Sequence, residues 1–207
     1  MSLDQQALYD ARLELVDYLV DALHDTPEEA FVERLLDGGL DTPADSINDD
    51  LDTGFEYLHE FVADNEGRDP EAVADDLAKE FTRVFVGPRP PVQPHETYYR
   101  EDTDFLSSGL AEVDASYGAG GWKVPESINE EADYIGVELL FLRNLLRRQQ
   151  AGEEEAVGFE RVFLDEHLST WLDAYLDDVV EATDEPFYLA AVHVLRGFVE
   201  FERDLVA

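Results

Sequence analysis

The chain has 207 residues, with 50 Asp and Glu against 14 Lys and Arg, a formal net charge of −36 and a pI of about 4.1. Such a surface repels nucleic acid and anionic lipid and makes both poor partners. There is no cysteine, which removes disulfides, thiol chemistry and zinc sites built on thiolates.

The length suits one domain spanning residues 1–207, and the apolar periodicity along the chain argues against an acidic disordered tail. The acidity reads instead as adaptation to a high-salt cytoplasm, because molar salt shortens the Debye length to ~3 Å and screens the self-repulsion. The first residues show no basic stretch followed by an apolar block, so no signal peptide is expected. No apolar run approaches the ~18–20 residues that span a bilayer. A cytoplasmic protein without an integral membrane segment is the expectation.

Helical period runs through the long segments, and no strand alternation stands out. Leu8, Ala11, Leu15, Tyr18, Leu19 and Ala22 form one stripe of a first helix over about Asp4–His24. Thr26-Pro27-Glu28-Glu29 predicts a second start, with Thr26 capping and Pro27 in the first turn, and Gly38-Gly39 ends that helix. A third helix places Leu51, Phe55, Leu58 and Val62 inward. Asp69-Pro70 starts a fourth, which carries Val73, Leu77, Phe81, Val84 and Phe85. Phe105, Leu106, Leu110, Val113 and Tyr117 suggest a fifth helix, closed by Gly118–Trp122. The most apolar helix is expected over about Asn129–Gln150, a long one over Glu153–Glu181, and a last one, started by Asp184-Glu185-Pro186, over Phe187–Leu205. The predicted fold is all-α, a single globule of about eight helices.

One stretch stands apart from these helices. In Glu80–Arg100, Phe81, Val84 and Phe85 share a helix face that stops at Gly87-Pro88, with Gly87 read as tolerating a positive φ. Pro90, Pro91 and Pro94 then hold the chain extended, and His95, Glu96, Tyr98 and Tyr99 follow. A stiff loop of this kind holds a groove open at low entropic cost; a rigid connector between two helices is the alternative. A second candidate is Asp133–Glu138. Gly136 costs about 1 kcal/mol inside a helix, which suggests close approach of another backbone or of a ligand. A carboxylate beside an aromatic there suits an incoming arginine; an acidic first turn feeding a core helix is the plain reading.

Other chemistry finds little support. Glu56 and His59 have the Glu-x-x-His spacing of di-iron bundles, but a second such motif is missing, and a solvated helix face is the better reading. Neither HExxH nor G-x-S-x-G occurs, and the serines have no evident histidine partner. Gly118–Gly121 is read as a loop and not as a phosphate cradle. No metal, cofactor or catalytic residue is expected.

The segments EFTRVFVGP, PHETYYRE, EADYIGVELLFL, FLDEHLSTWLDAYLDDV and FYLAAVHVLRGFVEFE, in this order over about Glu80–Glu202, resemble the TorD/DmsD/NarJ family of molybdoenzyme maturation chaperones, here in a haloarchaeal form. The resemblance implies an all-helical, non-enzymatic protein, monomeric or a domain-swapped homodimer. It would bind the twin-arginine signal peptide or the apoprotein of a molybdopterin oxidoreductase of the dimethyl sulfoxide, trimethylamine N-oxide or nitrate reductase type, and hold it until cofactor insertion and export. A NarJ-like role on the enzyme body is the alternative. By the same resemblance the peptide-binding positions fall on Phe81, Val84 and Phe85, the turn Gly87-Pro88, the step Pro94-His95, and Asp133-Tyr134, with Glu138 close by. Tyr134 stands where the family has a histidine.

Overall fold

The computed structural model describes residues 3–40, 42–43, 45–100 and 106–207, without the side chains of residues 4, 106 and 107. The described chain forms helices α1 (Leu3–Leu23), α2 (Glu29–Leu36), α3 (Asp49–Asp64), α4 (Pro70–Phe81), the single turn α5 (Glu96–Tyr99), α6 (Leu106–Ala119), α7 (Ile135–Gln150), α8 (Glu155–Phe163), α9 (Ser169–Ala182) and α10 (Pro186–Val206). Two π-turns, Thr82–Val86 and Leu164–Leu168, prolong α4 and join α8 to α9. Counting α8–α9 as one helix gives eight long helices among the described residues. The one strand-like pairing there is an isolated bridge.

The last helix is the axis of the packing. Of the 21 residues of α10, 13 are buried, so its sequence is apolar almost all round. It packs against α3, α9, α1 and α8. The approach to α3 is close because each helix offers a glycine. A Cβ at Gly54 would lie 2.7 Å from Val194 Cγ2, and one at Gly197 would lie 2.6 Å from both Asn48 Oδ1 and Leu51 N. Asn48 locks this contact. Its Oδ1 accepts from Leu51 N at 2.8 Å, capping α3, while its Nδ2 donates to Gly197 O at 2.9 Å.

A buried polar knot ties four helices together. Arg12 on α1 donates to Glu202 on α10 (Nε–Oε1 2.9 Å), to Glu160 on α8 (Nη2–Oε1 3.0 Å) and to Gln149 on α7 (Nη1–Oε1 3.3 Å). Gln149 in turn donates to Glu160. Glu160 and Glu202 are fully buried. Two carboxylates against one guanidinium leave a surplus charge, and burial, reinforced by Glu202, pushes Glu160 up to about 9.

Several element ends differ from the expected ones. Helix α2 begins at Glu29 with no side-chain cap, and the Thr26 N–H bonds back to Asp25 instead. Asp69-Pro70 and Glu185-Pro186 do start α4 and α10 as the proline rule requires. Gly87 has φ −53°, so no left-handed residue ends α4. The stop comes from the π-turn, whose Gly87 N–H reaches Thr82 O at 2.7 Å. Helix α7 starts at Ile135, six residues later than Asn129, because the preceding residues are drawn into pairing with the proline loop. Phe105 lies outside the described residues.

Candidate functional site

The apolar stripe of α4 runs straight into the core. Phe81, Val84 and Phe85 are 3%, 0% and 7% exposed. Phe81 packs on Phe85 (ring centroids 5.0 Å apart), and Phe85 packs edge-on to Tyr188 of α10 (5.9 Å). The wider π-turn faces Val84 and Phe85 inward and leaves Val86 62% exposed. Val92 N then bonds Val84 O at 3.2 Å, folding the proline loop back on the turn with Pro88, Arg89 and Pro91 outside. These three apolar side chains therefore back the loop from within; in this conformation they wall no open groove.

The second half of the loop is stitched to the entry of α7. Ile135 N donates to Pro94 O (2.9 Å), Glu96 N donates to Asp133 O (2.9 Å), and His95 and Tyr134 form an antiparallel bridge. Two stretches singled out separately in the sequence, Pro94–Glu96 and Asp133–Glu138, thus form one unit. The Asp133 carboxylate takes Thr97 Oγ1 at 2.5 Å, Thr97 N at 3.3 Å and His95 Nδ1 at 3.0 Å. Burial pushes Asp133 up, but the His95 and Thr97 hydrogen bonds outweigh it and hold it below the usual range. Burial pulls His95 down, and its bond to Asp133 outweighs that in turn and raises it above 6.5.

The signs define a window. The Asp133 contribution to stability is present above the ordinary carboxylate value and fades as pH falls through its lowered one. The His95 contribution is complete below 6.5 and fades as pH rises through its raised value. The ion pair is therefore intact across the mildly acid range up to 6.5 and fades at some pH above it. A histidine NMR titration is expected to show His95 titrating above 6.5 and Asp133→Asn bringing it down.

Tyr134 is an anchor. Its hydroxyl donates to Leu23 O and His24 O at the end of α1, both at 3.0 Å, and its ring touches His95 and His24. The close approach that Gly136 suggests is that of the same chain end, for a Cβ there would meet His24 Cα at 2.6 Å.

Behind this pair lies a buried carboxyl cluster. Glu96 is fully buried and accepts from Arg100 Nη1 (2.6 Å) and His167 Nδ1 (3.0 Å). Glu138 is also fully buried, and neither carboxyl oxygen has a conventional partner. Burial, with the charges of Glu96 and Asp133 beside it, raises Glu138 well above the usual range, so it is held as the neutral acid. Tyr99 stacks on Trp171 (5.7 Å, 26°) and donates to Asp178 (2.9 Å), while Tyr98 stays 64% exposed.

His167 Nε2 also meets Ser116 Oγ at 2.7 Å, which gives Ser116–His167–Glu96 the connectivity of a nucleophile, base and carboxylate. The resemblance ends there. Glu96 is shared with Arg100, and Ser116 lies inside α6, where backbone N–H groups are committed to helical bonds and offer no oxyanion hole. Sequence reasoning missed this contact because its members lie 51 and 71 positions apart.

Glu56 and His59 sit exposed on α3. His95, Glu131 and Asp133 bring three ligand-type atoms within 4.8 Å of one another, with His95 and Asp133 already satisfying each other. Gly118–Gly121 is the turn that ends α6, with Gly121 at φ 74°. No helix of the described residues is long and apolar enough to cross a membrane.

The family model described as nitrate reductase delta subunit matches residues 48–177. Among curated proteins, the chaperone protein TorD of Vibrio vulnificus is 28% identical over 136 residues, 62% of this chain and 63% of that protein. TorD of Vibrio cholerae is 22% identical over 209 residues, 98% of this chain and 95% of that protein. TorD of Photobacterium profundum is 27% identical over 137 residues, covering 61% of this chain and 62% of the relative. The chain thus spans somewhat less than two thirds of the Vibrio vulnificus protein, and these relatives are chaperones by name, not catalysts.

Proposed function

This chain belongs to the nitrate reductase delta subunit family, and we propose that it is a cytoplasmic maturation chaperone. Its client is a molybdopterin oxidoreductase of the dimethyl sulfoxide, trimethylamine N-oxide or nitrate reductase type. It binds the twin-arginine signal peptide of that client and holds the precursor until the cofactor is in place and export begins.

The observation that carries this reading is the union of the proline loop with Asp133. An ionised carboxylate, almost wholly buried, is reached past the part-exposed imidazole of His95, which already hydrogen-bonds it. A client guanidinium takes the place of the imidazole as the donor to Asp133, so the buried carboxylate keeps a partner. Glu131, exposed beside it, extends the acidic lip. A guanidinium–carboxylate contact of this kind contributes about 1–3 kcal/mol when partly desolvated. In molar salt the exposed Coulomb part is screened, so apolar contacts carry most of the affinity. Glu138 lies behind as a buried neutral acid beside Glu96, and Phe81, Val84 and Phe85 support the loop.

The test is titration of a synthetic leader peptide into the full chain at molar salt. Asp133→Asn is expected to weaken binding about tenfold, the lower-middle of the range for one charged contact. A leader with both arginines replaced by glutamine is expected to lose at least that factor, and Asp133→Asn to cost that leader nothing further. Equal affinity for both leaders sinks the arginine-reading role.

A second reading, assembly of the enzyme body in the NarJ manner, draws on the burial of Phe81, Val84 and Phe85, which leaves Val86 and Tyr98 as apolar side chains on the outer surface. Capture from native lysate separates the two: precursor with its leader favours the first, and the same subunit without a leader favours the second.

A further inference from the structure

Helix α1 carries Asp10, Glu14, Asp17 and Asp21, spaced four, three and four residues apart, and Asp25 follows just past its end. That spacing lays the carboxylates along one stripe. Three abutting clefts lie along it. The first, about 460 Å³, sits at the end of α1 against Val20, His24 and Phe31. The second, about 560 Å³, shares Asp21, Phe31 and Arg34 with the first and continues over Leu13, Leu35 and Leu40. The third, about 520 Å³, shares Asp10 and Glu14 with the second and is floored by Leu8, Ala11, Leu15, Ile47, Leu51 and Phe55. Leu8 and Ile47 are 37% and 44% exposed. End to end these clefts make one trough, acidic along its length and apolar at one end. Its acidic end abuts His24, whose ring contacts Tyr134, the neighbour of Asp133.

The charges select the occupant. A second copy of a chain with net charge −36 brings more negative surface to this acidic stripe. The cations along the trough are few and paired at the surface: Arg34 with Asp21 (3.0 Å), and Arg143 and Arg147 with Asp17 (3.0 and 3.4 Å). The Arg34 and Arg147 pairs are exposed, hold weakly and exchange readily for an incoming guanidinium, while the Arg143 pair is partly buried. Arg12, under the apolar cleft, is committed to Glu160 and Glu202. The side chains first expected to supply an apolar wall, Phe81, Val84 and Phe85, are consumed by the core. From Asp10 to Asp21 the stripe runs about 17 Å at 1.5 Å per residue, a span covered by about five residues of extended peptide.

We propose that this trough along α1 binds a peptide segment of the client that joins arginine residues to an apolar stretch, with the apolar part in the cleft of Leu8, Ile47 and Phe55 and the basic part along the carboxylates toward His24. The proposal rests on the chaperone reading and names where the peptide runs beyond its contact with Asp133.

The test uses the full chain and a fluorescent synthetic peptide of two arginines followed by a leucine-alanine stretch, titrated at molar salt. Ala11→Asp and Ile47→Asp place a charge in the apolar cleft at exposed positions, and circular dichroism confirms that each variant is folded. The expected result is at least about tenfold weaker binding for each, as for loss of an interface anchor. A photo-crosslinker at position 47 is expected to attach to the apolar part of the peptide. Wild-type affinity in both variants overturns the proposal while leaving the chaperone reading intact. No binding by the folded wild-type chain sinks the leader-binding reading itself, and the proposal with it. If the wild-type chain sediments as a dimer and Ile47→Asp as a monomer, the cleft belongs to a second copy and the proposal falls.

Discussion

Arg12→Ala is expected to lower the unfolding free energy by about 3–5 kcal/mol, the cost of leaving buried charges without their partner. Against a typical total of about 5–15 kcal/mol, that removes between about a fifth and all of the stability. The cause lies in the knot that Arg12 holds. Glu160 and Glu202 are both fully buried, and Arg12 is their shared cation. Without it one carboxyl must stay protonated and the other is stranded. Adding Glu160→Gln to Arg12→Ala removes one of the two carboxyls and is expected to recover part of the loss, so a double-mutant cycle by denaturant unfolding at molar salt reads the coupling directly. The same knot has a pH signature in the wild-type chain. An acid raised from 4.5 to about 9 in the folded state contributes stability that is complete below 4.5 and declines as pH rises toward 9. Stability constant across that interval would show that the pair is not proton-coupled.

Gly197→Ala comes next in size. By helix propensity alone the change should stabilise by about 1 kcal/mol. The opposite is expected, a loss of about 2–3 kcal/mol, because the new methyl overpacks the α3–α10 contact and displaces the Asn48 cap. The atoms it meets, Leu51 N and Asn48 Oδ1 at 2.6 Å, are a backbone group and the capping oxygen itself, so neither can yield freely. Gly158→Ala, at an exposed position of α8 with nothing within 4 Å, is the control and should gain stability. Thermal melts of the two variants having the same sign would refute the packing argument.

These two positions show what the sequence concealed. The stripes Leu51, Phe55, Leu58 on α3 and Val73, Leu77, Phe81 on α4 were legible because amphipathic period is written locally, and so were the prolines that open α4 and α10. Arg12 was not, since it looks like any cation on an acidic helix until Glu202, 190 residues on, folds against it. Periodicity also cannot tell a stripe that packs inward from one that waits for a ligand, which is why Phe81, Val84 and Phe85 read as a groove wall and sit in the core. The start of α7 was misplaced for a related reason. Residues 129–134 carry helical pattern, yet their backbone pairs with Pro94 and Glu96, a contact that no local signal announces. The residues of the candidate site were readable as types, carboxylates and aromatics near a proline loop. Their pairing, His95 and Thr97 on Asp133 and Glu96 shared by Arg100 and His167, exists only in three dimensions.

The stacking of Tyr99 on Trp171 gives the chain an optical readout of its own. There are two tryptophans, and the other, Trp122, lies in a separate aromatic group with Tyr117 and Phe141. Trp171 is buried beneath the single turn α5, directly after the residues that bridge to Asp133. Any occupant that lifts this turn admits water to the indole and shifts its emission to longer wavelength, with Trp122→Phe leaving the signal in place. Loop displacement can then be followed in real time, at any salt concentration, on protein that carries no label.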